Sequence, residues 1–171
     1  MNGLLVEYLQ ADPNNSSQYA YAFYANHSTR RFSVRSDGGI DNYQAYNTNL
    51  SDLSVKKDFA LYSSSAELTE KVWNFGKRMR SAWGHFRYKD QTHGDLNNGY
   101  GAQYVKVAAG DDFPELTEQS EWSKDKDDNP VMRLSVYDSD LMHLMGANVT
   151  ECQYKIDELR AEFDAYKLAH P

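Results

Sequence analysis

Residues 64–88, SSAELTEKVWNFGKRMRSAWGHFRY, hold the longest periodic segment of the chain and two of its three tryptophans. Ser64 and Glu67 form an S-x-x-E capping box, in which the serine hydroxyl and the glutamate each satisfy a backbone N–H left open at a helix start. Leu68, Val72, Phe75, Met79, Ala82 and Phe86 follow at steps of four or three. At about 100° per residue they share one stripe, the pattern of a helix facing a core. Gly84 is a natural stop, because glycine takes the left-handed conformation without Cβ strain. The spacing predicts a helix over 66–83, with a strand beginning at His85.

The opposite side of this helix carries Trp73, Lys77 and Arg80, flanked by Lys71 and Arg78. Two readings stand beside each other. A second element could cover Trp73 while the basic side chains stay solvated, as on many amphipathic helices. Alternatively the face is functional: Trp73 stacks on a nucleobase while Lys77, Arg78 and Arg80, with Arg30 and Arg31, meet phosphates, or the same residues anchor a protein interface.

A second helix is predicted over 151–168. Thr150 and Gln153 form another capping pattern, and Cys152, Ile156, Leu159, Phe163 and Tyr166 recur at four, three, four and three. That stripe reads as a core-facing surface with Glu and Asp on the solvent side. Cys152, lying on it, reads as an inert core thiol.

Strands fill most of the remainder. Residues 19–24 place aromatics at period two, and 31–35 alternate polar with apolar, so the pair reads as a hairpin. Further short strands are expected at 4–9, 44–46, 58–62, 100–108 and 131–137. Residues 138–146 read as a brief helical turn ended by Gly146. Residues 110–130 are the most polar stretch, read as a short helix near Pro114 followed by an exposed, mobile acidic loop. The fold expected is α+β: a mostly antiparallel sheet of five to seven short strands packed against two main helices, in one domain over 1–171.

The composition suits a soluble globular protein, with 25% charged and 40% apolar residues in 171. No apolar run approaches the ~20 residues of a membrane-spanning helix. The start of the chain lacks the features of a signal peptide, and the one cysteine suits a reducing compartment, so a cytoplasmic location is expected.

Charge is unevenly distributed. The formal total is −7. Residues 1–110 carry 12 Lys and Arg against 10 Asp and Glu, whereas 111–171 carry 6 against 15. The acidic half offers Asp111, Asp112, Glu118, Glu121, Asp125, Asp127 and Asp128 as a surface for a basic partner.

Motifs of established chemistries are missing. There is no phosphate-binding loop, nucleophile elbow, zinc-binding histidine pair or cysteine pair. Asp125, Asp127 and Asn129 have the 1-3-5 spacing of a calcium loop, but Pro130 and Val136 stand where glycine and the bidentate glutamate belong. His93 and Asp95 share a polar loop and could act as an acid–base pair, and His27 lies beside Arg30 and Arg31 in a hairpin tip. No partner motif supports catalysis at either. His143, among methionines, reads as a core residue.

Thirteen tyrosines, six of them before Leu50, add amphipathic contact surface. The function expected is therefore non-enzymatic: a macromolecule-binding protein of the inhibitor or immunity type, whose acidic surface meets a basic protein, with no cofactor or metal. The alternatives are nucleic-acid binding through the Trp73 helix and an enzyme using His27, His93 and Asp95.

Overall fold

A computed structural model describes residues 19–25, 29–35, 38–43, 51–89 and 96–170. The strands expected at 4–9 and 44–46, together with His27, His93 and Asp95, lie outside them. The backbone groups into two compact units, Met1–Lys57 and Asp58–Pro171. Across the described residues the fold is α+β, and every strand pairing is antiparallel. The strands form three small sheets rather than one.

In the first unit, β1 (Tyr19–Ala25), β2 (Thr29–Arg35) and β3 (Ile40–Asn42) make a meander with β2 in the centre. The expected hairpin forms, with Tyr19 opposite Arg35 and Ala25 opposite Thr29. Gly38 at φ +87° carries the turn into β3, a conformation that disfavours any side chain.

One carboxylate ties this sheet together. Asp41 accepts from Arg35 Nη2 at 2.5 Å, Arg35 Nε at 2.9 Å and Ser33 Oγ at 3.1 Å, with Arg30 Nη2 at 3.3 Å. The Arg35 hydrogen bonds hold the Asp41 carboxyl below its ordinary range. A lowered folded-state value means that ionised Asp41 favours the folded sheet. Its contribution is complete above the ordinary aspartate range and is lost as pH falls through the lowered value. An NMR titration should therefore place the Asp41 carboxyl midpoint below that of an unpaired aspartate, and Arg35→Gln should return it upward. A midpoint unmoved by that substitution contradicts the assignment.

In the second unit, α1 (Ala66–Met79) is capped by Ser65, whose hydroxyl accepts from the Leu68 N–H at 3.1 Å. The cap lies one residue beyond Ser64, and the helix ends four residues before Trp83. Turns at 80–82 lead into β4 (Trp83–Phe86), paired with β5 (Asn97–Tyr100). The predicted stripe is the core: Val72, Phe75, Met79 and Ala82 are buried.

Residues 100–108 are a helix, not a strand: α2 spans Ala102–Ala109 and buries Val105, Ala108 and Ala109. Burial at i, i+3 and i+4 outweighed the β-propensity of Tyr104, Val105 and Val107. Residues 58–62, read as a strand, contain none; a 3-10 turn follows at Tyr62–Ser64.

The polar 110–130 stretch is likewise ordered into structure. A 3-10 turn at Pro114–Leu116 leads into β6 (Thr117–Lys124), which pairs with β7 (Pro130–Val136). Finally α3 runs without a break from Asp138 to Ala169, 32 residues, where two separate helices over 138–146 and 151–168 were expected. Thr150 does not cap a helix; its hydroxyl donates backward to the Gly146 carbonyl at 3.3 Å, inside the continuous helix.

Leu141 and Leu144 of α3 join Phe113, Leu116 and the α1 and α2 residues in one buried cluster. Asn148, 8% exposed, donates from Nδ2 to the Val72 carbonyl at 3.0 Å. Gly76 makes that crossing close, because a Cβ there would lie 2.1 Å from the Asn148 side chain. No helix among the described residues is long and apolar enough to cross a membrane.

Candidate functional site

The basic set is divided between the two units, Arg30 and Arg31 lying on β2 and Trp73, Lys77, Arg78 and Arg80 on or beside α1. Trp73 is partly buried and sits between two ammonium groups, Lys77 Nζ at 5.5 Å and Lys155 Nζ of α3 at 5.1 Å from its ring centroid. Both contacts suit the negative face of an indole, and a nucleobase stacking there must displace one of them. Arg78 is exposed but engaged: Nε donates to the Ala108 carbonyl at 2.6 Å and Nη2 meets Asp112 at 3.0 Å. Lys77 and Arg80 remain exposed. In the first unit, Arg30 is held by Asp41 and Tyr19, and Arg31 lies 4.1 Å over the Tyr43 ring.

The acidic set converges better. Glu118, Glu121, Asp125, Asp127 and Asp128 all belong to the β6–β7 hairpin and its turn. Three of them have structural work. Asp125 Oδ1 accepts from the Asp127 and Asn129 N–H groups, each at 2.9 Å, closing a turn in which Asp128 takes φ +64°. These bonds, the Asn129 N–H first, hold the Asp125 carboxyl below its ordinary range. The calcium-like spacing is thus a hairpin turn. Asp128 pairs with Lys124 at 2.8 Å, and Glu118 accepts from the Tyr137 hydroxyl at 2.5 Å. Glu121 and Asp127 are exposed, as is Asp111, while Asp112 pairs with Arg78.

Between these acids stands a residue that sequence reasoning passed over. Glu121 opposes Met132 and Ser123 opposes Val131, so Trp122 is the extra residue of a β-bulge. Bulges redirect a side chain out of the regular alternation. Trp122 is 73% exposed, and Met132, across the register from Glu121, is exposed too. A tryptophan inside the most polar segment of the chain was the available signal, since solvation alone does not call for one.

The second exposed apolar feature is on α3. Ile156, Leu159, Phe163 and Tyr166, expected in the core, are 58%, 68%, 56% and 60% exposed. His143 is exposed as well, and Cys152 is half-buried with Sγ 3.9 Å from Asn148 Oδ1.

Concave features are shallow. An apolar depression of about 260 Å³ lies between Trp83, Tyr100, Leu141 and Met145, with Asp138 at its edge. Among the described residues no three His, Cys, Asp or Glu side chains gather to hold a metal.

No family model and no curated protein matches the chain. Among solved structures it is similar to the carboxy-terminal domain of the bacteriophage T5 L-shaped tail fibre with its intra-molecular chaperone domain, at TM-score 0.38 and 14% sequence identity. That alignment covers 79% of this chain and 41% of the other, so the chain spans less than half the length of that protein. A likeness this distant assigns neither family nor function.

Proposed function

We propose that this chain is a non-enzymatic protein-binding factor that docks a basic protein surface through the β6–β7 hairpin. The observation that carries the reading is Trp122, an aromatic anchor presented by a bulge and bracketed by Glu121 and the acidic turn at Asp125–Asn129. Binding energy at protein interfaces concentrates in such residues, while surrounding charges set encounter rate and partner choice. Glu121 and Asp127 are the acids free to meet a cationic partner. Asp125 and Asp128 shape the turn that carries Asp127.

A photo-crosslinking side chain placed at position 122 of the full chain tests this in extract from the cells that make it. The expected result is one discrete adduct with a different protein, absent when the crosslinker stands at Tyr104 on α2. Combined Glu121→Lys and Asp127→Lys should abolish it without altering the circular dichroism. Once the partner is purified, Trp122→Ala should weaken binding about 30-fold, the order of ~2 kcal/mol for an anchor. No adduct at 122, adducts indifferent to charge reversal, or adducts only in multiples of the chain's own 19.6 kDa would overturn the reading.

A further inference from the structure

We infer that the free half of α3 is the self-association surface of this chain, joining parallel, in-register copies through a coiled-coil seam. The hairpin reading is not needed for this inference, which concerns a different surface. Up to Lys155, α3 is backed by α1: Leu141, Leu144 and Asn148 are buried, and Lys155 lies on Trp73. From Ile156 onward every described residue is exposed. At 1.5 Å per residue this is roughly 20 Å of helix with no neighbour along it among the described residues of this unit.

Apolar residues at a fixed alternation of steps run from the end of the backed part through this stretch, in which Leu168 alone of the large ones is set off the line. Val149, Cys152, Ile156, Leu159, Phe163 and Tyr166 are spaced three, four, three, four and three. That is a period of 3.5, which a supercoiled partner helix follows, whereas the apolar face of a straight helix drifts at 3.6. It is also a different stripe from the Leu141, Leu144 and Asn148 face that α1 covers.

Charge beside the seam selects the occupant. With Ile156 and Phe163 at the a positions, Glu162 falls at g, and Arg160 and Lys167 fall at e. In a parallel, in-register pair, Glu162 faces Lys167 of the neighbouring copy, and the reciprocal pair repeats it. Lys155, the g residue that would face Arg160, is turned onto Trp73 instead. An antiparallel pair over the same layers sets Glu162 against Glu162 and Arg160 against Arg160. Opposite charges in one arrangement and like charges in the other favour the parallel one. It also keeps each copy's α1-backed portion of α3 at the same end of the seam.

Sedimentation equilibrium of the full chain, from low to high micromolar concentration, is the test. The expected mass is an integer multiple of 19.6 kDa, two or more. Leu159→Glu with Phe163→Glu should lower it to that of one chain; both side chains are exposed, so the circular dichroism and thermal midpoint of the monomer should persist. Glu162→Lys alone should weaken association at least about tenfold, and adding Lys167→Glu should restore it. A wild-type chain that stays monomeric throughout would overturn the inference. So would an oligomer untouched by the two glutamates. Association that the charge swap fails to restore would overturn the parallel register.

Discussion

Truncating Phe75 to alanine is expected to destabilise the Asp58–Pro171 unit by ~3–5 kcal/mol. Phe75 has no exposed surface. Its ring meets the Phe113 ring edge-on, centroids 5.6 Å apart at 74°, and Phe113 meets Tyr62 in the same way at 6.2 Å and 81°. The three rings link α1, the turn after α2 and the 3-10 turn that precedes α1. Loss of the Phe75 ring therefore removes one aromatic pair as well as buried area, and such pairs contribute roughly 0.5–1.5 kcal/mol beyond burial. The rigid helix backbones cannot close over the void, so a cavity remains. Urea denaturation followed by circular dichroism measures the cost. Phe163→Ala is the matched control: the same residue type, 56% exposed on α3, should change the stability of the monomer by less than about 0.5 kcal/mol. Equal losses at the two sites would refute the burial assigned to them.

What was legible in the sequence follows a physical dividing line. The α1 stripe and the first hairpin were readable because local periodicity and tertiary burial agree there. Val72, Phe75 and Met79 are buried at the positions their spacing implies, and Tyr19 to Arg35 pair as alternation suggests. Residues 100–108 were misread because Tyr104 and Val107 favour a strand yet end up exposed on a helix whose buried face is Val105 with two alanines. Small alanines mark a close helix contact more weakly than large side chains mark a strand. Of the β6–β7 hairpin, the strand expected at 131–137 forms as β7, while β6 was hidden because its residues are exposed from Glu121 onward and leave no alternation to detect. On α3 the stripe itself was correctly located, and its destination was not. Amphipathicity shows that a face needs covering; it does not say whether the same molecule covers it. The candidate site was half visible for a similar reason. Clustered acids are countable, whereas the bulge that turns Trp122 outward depends on strand register.

The second large effect is expected at the crossing of α1 and α3, where Gly76→Ala should lower stability by about 2 kcal/mol despite improving helix propensity. An added Cβ would lie 2.1 Å from Asn148 Cγ and Oδ1 and 2.2 Å from Nδ2, well inside contact distance. Asn148 cannot simply swing aside, because it is buried and donates to the Val72 carbonyl at 3.0 Å. Either the helices separate or that hydrogen bond is lost. Overpacking of this kind costs about 1–3 kcal/mol, near the upper end here because the obstructing atoms are held. Against it stands a gain of about 1 kcal/mol for replacing glycine inside a helix. In the Asn148→Ala background the obstructing atoms are gone and only the gain remains. Asn148→Ala alone should cost about 1 kcal/mol for the lost hydrogen bond, and Gly76→Ala added to it should then be neutral or stabilising. The sign of one substitution thus depends on the residue across the interface, a coupling of roughly 2–3 kcal/mol. Chemical denaturation of the four members of the cycle measures it. Additive costs would mean that α1 and α3 do not cross at Gly76 and Asn148, and the backing that frees only the far half of α3 would then be lost with it.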